Sequence, residues 1–123
     1  MSQAPISMRV GDTIAAYRIV TVNSSGQAAA ASAGTDVIIG VTVDNATNSN
    51  QGVPVATSGI ARVYCNDSIV SGGLIMTNAS GQGIPAVATT AGIYVLGVNV
   101  GPKVNATGAI AEVLVNPFQL QIP

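Results

Sequence analysis

The sequence has no histidine and no tryptophan, and its 123 residues include one cysteine, one phenylalanine, four basic and five acidic side chains. Without histidine, the Ser–His and Cys–His dyads and triads of nucleophilic enzymes are excluded. Zinc and other borderline metals prefer clusters of histidine and cysteine, and this chain cannot form one. We therefore expect a structural protein rather than an enzyme, with no catalytic residues, no cofactor and no metal site.

Charge is also scarce, at 7% of residues, against roughly a quarter in ordinary soluble domains. The formal net charge of −1 does not steer the chain towards nucleic acid or an anionic membrane. A free monomer this close to neutrality is poorly protected from association, whereas a subunit of a large particle shares the solubility of that particle. We therefore predict no nucleic-acid partner, no membrane partner and a place in a larger assembly.

The few residues that could carry chemistry form no recognisable motif. No short motif pairs two of the five carboxylates for acid–base work, and these belong to Asp12, Asp36, Asp44, Asp67 and Glu112. Asp12 and Asp36 each precede an apolar run, where an aspartate side chain typically bonds nearby backbone N–H groups and sets a turn. Cys65 is predicted to be a small buried hydrophobe, since there is no histidine to favour a thiolate.

Short apolar runs separated by glycine, asparagine, serine and proline predict an all-β fold, a compact small β-barrel or β-sandwich. The clearest runs are 13–22, 37–43, 60–64, 74–77, 93–100 and 109–115. No window carries the apolar stripe of an amphipathic helix for more than about a turn. Between the runs, six turns supply a residue that tolerates positive φ: Ser25-Gly26, Asn50-Gln51-Gly52, Ser58-Gly59, Gly72-Gly73, Ser80-Gly81 and Thr107-Gly108.

Three pairs of similar segments occur in the same order along the chain and indicate an internal duplication. Segment 23–27 matches 78–82, segment 39–43 matches 96–100, and segment 58–63 matches 108–113. We predict a single β domain over residues 8–123, built from repeats of about 8–64 and 65–123. Each half alone is too small to be stable, so the halves should pack around a pseudo-two-fold axis with one shared core.

The two ends of the chain differ from this pattern. Residues 1–7 have no charged side chain, include three polar residues and contain Pro5, which suits an extended N-terminal arm. Near the C-terminus, apolar residues alternate with glutamine, the period of a strand with one apolar face. This strand either closes the sheet of its own chain or adds to the edge of a neighbouring subunit. The candidate interface residues are therefore Gln3, Pro5, Ile6, Phe118, Leu120 and Ile122.

Four stretches of the sequence together resemble the small head decoration, or capsid cement, proteins of tailed phages. They are VGDTI at 10–14, GTDVIIGV at 34–41, SGGL at 71–74 and TNASGQ at 77–82, and the likeness covers most of residues 8–115. The chain departs from the family at 71–73, where the family often has Ala-Gly-Asp, and at Asn78, where aspartate is frequent.

The resemblance implies a virion protein on the outer surface of the capsid, made in the host cytoplasm. Such a protein would bind the major capsid protein, clamp neighbouring copies of it, and associate with itself, as a trimer in the first place or as a dimer. Two other functions stay open. One is a head fibre, a spike or a minor head subunit; the other is a glycan-binding module displayed on the particle, for which three tyrosines and no tryptophan offer few aromatic surfaces.

Overall fold

The computed structural model describes residues 6–86, 93–105 and 108–119, and every regular element in these ranges is a β-strand. The all-β prediction is confirmed. The strands are β1 Ile6–Arg9, β2 Ile19–Val22, β3 Ala28–Ala30, β4 Gly40–Thr42, β5 Gly52–Ala56, β6 Gly59–Tyr64, β7 Leu74–Thr77, β8 Gly83–Pro85, β9 Tyr94–Asn99 and β10 Ile110–Gln119. Within these ranges, no helix is long and apolar enough to span a membrane.

The ten strands form two five-stranded antiparallel sheets in the manner of a β-sandwich. The first sheet has the order β1-β5-β4-β2-β3 and the second the order β6-β10-β9-β7-β8. Adding five to each strand number of the first sheet gives the second, so the two halves share one topology. We call residues 6–56 the first unit and residues 59–119 the second unit; residues 57 and 58 join them.

The correspondence between the units extends to their irregular contacts. In each unit a parallel bridge brings the two edge strands together and an antiparallel bridge joins two loops, although neither sheet closes into a barrel. The bridges are Val10–Ala28 and Ile14–Ala46 in the first unit, and Cys65–Gly83 and Ile69–Val104 in the second. Both units therefore enclose their own interior in the same way.

Two glycines occupy equivalent positions where the central strands approach closely. A Cβ on Gly40 would overlap the carbonyl oxygen of Ala56, and a Cβ on Gly97 would overlap the carbonyl oxygen of Leu114. Neither overlap involves a flexible side chain that could move aside. The two ladders, β4–β5 and β9–β10, therefore require a residue without a side chain at the same place.

Two of the three matched segment pairs lie at equivalent positions in the two units. The first pair forms the turns between β2 and β3 and between β7 and β8, and the second pair contains β4 and the C-terminal part of β9. The third pair aligns β6 with β10, which are antiparallel neighbours within the second sheet. By topology the counterpart of β6 is β1. The prediction placed β6 at the end of the first repeat, but this strand belongs to the second sheet.

The buried side chains form one core inside the first unit and a larger core that joins the two units. The first-unit core consists of Val10, Ile14, Val20, Ala28, Ala46, Val53 and Val55. The larger core contains the interior of the second unit together with four first-unit residues, Ile19, Ala31, Ile38 and Val41. Burying a valine or isoleucine side chain contributes roughly 1.5–3 kcal/mol, so Ile19, Ile38 and Val41 contribute most to holding the units together.

The contact between the units is not reciprocal. The backbone N–H of Ile19 donates to the carbonyl oxygen of Gly81, with the two atoms 2.7 Å apart, so the β7–β8 turn packs on the first unit. Gly26 lies at the equivalent turn of the first unit, and no described atom lies within 4 Å of the place of its Cβ. A two-fold axis would give both turns the same surroundings. The predicted pseudo-two-fold is therefore wrong, and the units pack through two different surfaces.

The turn chemistry is as the sequence predicted. Each of the six predicted turns contains a residue with positive φ, namely Gly26, Asn50, Gly59, Gly72, Gly81 and Gly108. The one further residue with positive φ in the described ranges is Tyr17, at 65°. It stands where the second unit has Gly72, so the first unit holds a tyrosine in a conformation that favours glycine.

Candidate interaction surfaces

The structure describes two of the six predicted interface residues, and both are exposed. Ile6 opens the edge strand β1, pairs with Val55 and has 49% of its surface accessible. Phe118 lies near the end of β10, pairs with Val95 and has 38% accessible. The two residues belong to different sheets. Gln3, Pro5, Leu120 and Ile122 lie outside the described residues, as do residues 1–5 of the predicted arm.

The C-terminal part of β10 extends past its neighbour β6. The pairing of β10 with β6 ends at Val115, opposite Gly59. The pairing with β9 continues through an irregularity between Val115 and Phe118 and reaches Gln119, opposite Tyr94. The described part of this C-terminal strand therefore pairs within its own sheet, which is the first of the two arrangements that its alternating sequence predicted.

Two of the acidic side chains that the sequence offered as candidates for chemistry serve turns. Oδ1 of Asp12 accepts a hydrogen bond from the backbone N–H of Thr13 at 2.8 Å. Oδ2 of Asp36 accepts from the backbone N–H groups of Ser32 and Ala33, at 2.9 and 3.1 Å. The turn-setting roles predicted for these two residues are confirmed. In the described part of the chain, no three acidic or cysteine side chains are grouped as metal ligands.

Cys65 is buried in the second unit, as predicted. None of its surface is accessible, and its Sγ lies 3.5 Å from the carbonyl oxygen of Val63. Burial disfavours the thiolate and raises the pKa of this thiol above its usual range. The equivalent position in the first unit is Val10, which is equally buried. The thiol thus fills the place of an aliphatic side chain.

A pair of matching side-chain networks fixes the β2–β3 and β7–β8 turns. Oδ1 of Asn23 accepts from the backbone N–H of Gln27 at 2.9 Å, while Nδ2 donates to Oε1 of the same residue at 3.2 Å. Asn78 and Gln82 make the same two bonds at 3.0 Å each. Across the described residues, no buried side-chain nitrogen or oxygen lacks a hydrogen-bond partner. The amide groups of these turns are therefore structural.

Polar contacts also join the two units. The guanidinium of Arg18 lies over the ring of Tyr64, with 4.1 Å between the guanidinium carbon and the ring centroid. The backbone N–H of Tyr64 donates to the carbonyl oxygen of Tyr17 at 2.9 Å. A cation–π contact contributes about 0.5–1 kcal/mol at an exposed site and more where water is excluded, and both residues here are half-buried. The left-handed turn at Tyr17 thus places the Tyr17 carbonyl and the Arg18 guanidinium against Tyr64 at the end of β6.

The outer face of the second sheet carries a continuous row of apolar side chains. Along β10, Ala111, Val113 and Val115 are buried, and the alternate residues are exposed. The strand register places Leu114 opposite Ile60 of β6 and Val98 of β9, and Val98 opposite Leu74 of β7. We call Ile60, Leu114, Val98 and Leu74 the outer row. Ile60 and Leu114 are 54% and 45% exposed, and the other two residues are half-buried.

A charged pair lies beside the outer row. Arg62 of β6 stands opposite Glu112 of β10, two residues along each strand from Ile60 and Leu114, and both charged residues are exposed. Sequence reasoning did not single out the outer row, although each of its members lies in a predicted strand. The sequence alone does not show which face of each strand the other unit covers.

The fold has a counterpart among solved structures. The chain is similar to the N base of the head fibre gp8.5 of bacteriophage phi29, with a TM-score of 0.69 and 18% sequence identity. The match covers 99% of this chain and 100% of the phi29 chain, so both units take part in it. No protein-family model and no curated protein sequence matches the chain. At this identity the likeness establishes a shared fold.

Proposed function

We propose that this chain is a structural protein of a phage head, not an enzyme, and that it binds the outer surface of the capsid. The likeness in fold to the base of a phage head fibre, over the whole of both chains, carries the proposal. The resemblance of 10–14, 34–41, 71–74 and 77–82 to head decoration proteins supports it independently, because it rests on residues rather than on topology. The structural roles of Asp12, Asp36 and Cys65 support a structural protein.

Two forms of this function are distinct. A cement protein clamps neighbouring copies of the major capsid protein, and the sequence resemblance favours this form. The base of a head fibre anchors a projection to the shell, and the fold likeness favours that form. In both, the partner is the major capsid protein and the protein associates with itself, as a trimer in the first place or as a dimer.

A clamp of this kind gains its effect from repetition. A standard protein interface buries about 800 Å² on each partner. The low charge of the chain limits electrostatic steering and leaves contact through strand edges and small apolar side chains. Because many copies bind one particle, a modest gain per copy raises the resistance of the whole shell.

Reattachment to particles tests the function and separates its two forms. Heads stripped of this protein are mixed with the purified chain, bound protein is measured after sedimentation, and the heads are then heated or treated with chelator. Binding with restored resistance supports the cement form, and saturable binding with unchanged resistance supports the fibre base. If no protein sediments with the heads at saturating concentration, the proposal fails in both forms.

The terminal segments that the sequence predicted as contacts have a separate test. Removing residues 2–5 leaves β1 intact, since that strand begins at Ile6. We expect this variant to bind heads more weakly and to keep its oligomeric state. Removing residues 120–123 is the matched change at the other end. A change in oligomer size instead would assign the deleted segment to the contact between copies.

A further inference from the structure

The row that is partly exposed in the second unit is buried in the first. There the equivalent residues are Ile19, Val41 and Ala56, which pair across β2, β4 and β5 in the same register. Their exposed fractions are 0%, 1% and 7%. Ile19 and Val41 belong to the core that joins the two units. This side of the sheet is therefore already used, within one chain, to bind another copy of the same fold.

In the second unit the corresponding row is covered only in part, since Ile60 and Leu114 are exposed and Leu74 and Val98 are half-buried. Leu74 and Val98 take the places of Ile19 and Val41 with side chains of the same size, and Leu114 replaces Ala56 with a larger one. The row continues onto β6 through Ile60, the most exposed of the four. Apolar residues scattered singly on a surface need no explanation, but a contiguous exposed row indicates a binding surface.

The charges around the row favour a second copy of this chain over a charged partner. Arg62 and Glu112 face each other across two strands and together contribute no net charge to the surface. Two such surfaces meet without a net repulsion, and a strongly acidic or basic partner would gain nothing from them. The overall net charge of −1 likewise opposes association of two copies very little.

The first unit of one copy does not offer a suitable surface for the outer row of another copy. This excludes simple head-to-tail stacking of copies. Within one chain, the first unit is hydrogen-bonded to Tyr64 and to the turn at Gly81 of the second unit. The equivalent residues on the first unit are Arg9 and Gly26. Arg9 is exposed and donates from its guanidinium to the carbonyl oxygen of Asn50 at 3.0 Å. An apolar row packed there would remove water from this cation, whose described side-chain partner is a neutral carbonyl, and would supply no anion for it.

We propose that the outer row is the surface through which this protein binds further copies of itself, with the rows of neighbouring copies meeting at a symmetry axis. Contacts around a symmetry axis give a closed dimer or trimer, whereas head-to-tail contacts that do not close would give a filament. The inference names the interface of the homo-oligomer and does not depend on the phage-head function, since it concerns the purified chain alone.

The mass of the purified protein in solution tests this interface. Sedimentation equilibrium or light scattering over about 1 µM to 1 mM should show a dimer or trimer at the upper concentrations, within the usual affinity range of weak to moderate complexes. Leu114→Asp and Ile60→Asp should each raise the dissociation constant at least about tenfold, since they place a carboxylate in the contact. Both positions are exposed, so the isolated subunit should keep its thermal midpoint.

Two matched variants serve as controls for these substitutions. Val70→Asp introduces the same charge at a residue that is 58% exposed and lies outside the row, in the loop before β7, and it should associate like the wild type. Leu114→Met keeps the site apolar and should also associate. Leu114→Cys should form a disulfide between copies on mild oxidation, whereas Val70→Cys should not; the native Cys65 is buried and does not interfere.

The outcomes decide the proposal in each case. Association of the wild type, its loss in both row variants and its retention in both controls support it. A wild type that stays monomeric at 1 mM overturns it, and if the row variants then also lose binding to heads, the row binds the capsid protein instead. An oligomer unaffected by Leu114→Asp and Ile60→Asp overturns it as well. The head-binding result is independent, so either proposal can fail while the other stands.

Discussion

The two units share their strand order, their bridges and their glycine positions, yet they differ in what surrounds them. The row of the first sheet that carries Ile19 and Val41 is buried against the second unit, whereas the equivalent row of the second sheet is exposed at Leu114 and half-buried at Leu74 and Val98. Conversely, the turn at Gly81 is packed and the turn at Gly26 is open. The same fold thus occurs in two environments in one chain. Substitutions at equivalent positions therefore distinguish the residues needed for the fold of each unit from those needed for the contact between the units.

The largest effects should come from a requirement that both units share. Gly40→Ala and Gly97→Ala each drive a Cβ into a backbone carbonyl. We expect each to lower the free energy of unfolding by about 3 kcal/mol or more, at the upper end of overpacking effects. Denaturant unfolding measures both changes. In the control Gly52→Ala, the new Cβ meets a movable side-chain oxygen of Ser7 at 3.3 Å; a comparable loss there would contradict the argument from backbone overlap.

A second comparison removes the same two methyl groups from equivalent positions. Val41→Ala opens a cavity in the core between the units and should cost about 2 kcal/mol. Val98→Ala acts on the half-buried outer row and should cost less than about 1 kcal/mol in the monomer. Unfolding is measured at low protein concentration, so that association does not contribute. Equal losses would mean that the outer row is buried within the chain.

The two equivalent turns provide a third comparison. Gly26→Ala and Gly81→Ala both place an alanine at positive φ, with φ of 78° and 73°, which costs about 1 kcal/mol. At Gly81 the new Cβ would also lie 2.9 Å from the carbonyl oxygen of Ile19. We therefore expect about 2 kcal/mol for Gly81→Ala and about 1 kcal/mol for Gly26→Ala. Identical unfolding midpoints for the two variants would contradict non-reciprocal packing.

The smallest effect concerns Cys65, which Cys65→Val converts to the residue of the first unit. At neutral pH we expect a change below about 1 kcal/mol, since the two side chains are similar in size. The folded-state pKa of the thiol is raised, so the unfolded chain releases this proton first and stability is lost as pH rises above about 8.5. The variant should lose less stability than the wild type between about pH 8 and 10. Parallel losses would show that the thiol does not contribute.

The turns were the part of the fold that the sequence predicted best, because residues tolerant of positive φ are few and chemically distinct. Tyr17 was missed because nothing in its residue type indicates a left-handed conformation. The strands β5 and β8 were missed because each contains a proline and few β-branched residues. Pro54 is tolerated in β5 because the backbone position that lacks an N–H faces β4 beyond Val55, where that ladder has ended. The Pro54 carbonyl on the same side still accepts from the N–H of Val43.

The repeat and the contact surfaces were predictable to different degrees. Matching turns around Asn23 and Asn78 reveal the duplication because their side chains perform the same structural role in both units. Segments 58–63 and 108–113 look alike for another reason: both are a turn followed by a strand in one sheet, with the same alternation of exposure. The exposure of the outer row depends on which face of each sheet the other unit covers. Strand periodicity shows that a strand has two faces but not which of them the other unit covers.

The short connection between the units has a thermodynamic consequence. Residues 57 and 58 alone separate β5 from β6, so the first unit is held beside the second at an effective concentration of about millimolar or more. A modest contact is sufficient under this tether, and the buried row of the first unit includes the small Ala56. The outer row has no tether to its partner. An untethered contact must bury more apolar surface to overcome the entropy of association. The larger Leu114 and the extension of the row through Ile60 provide that surface.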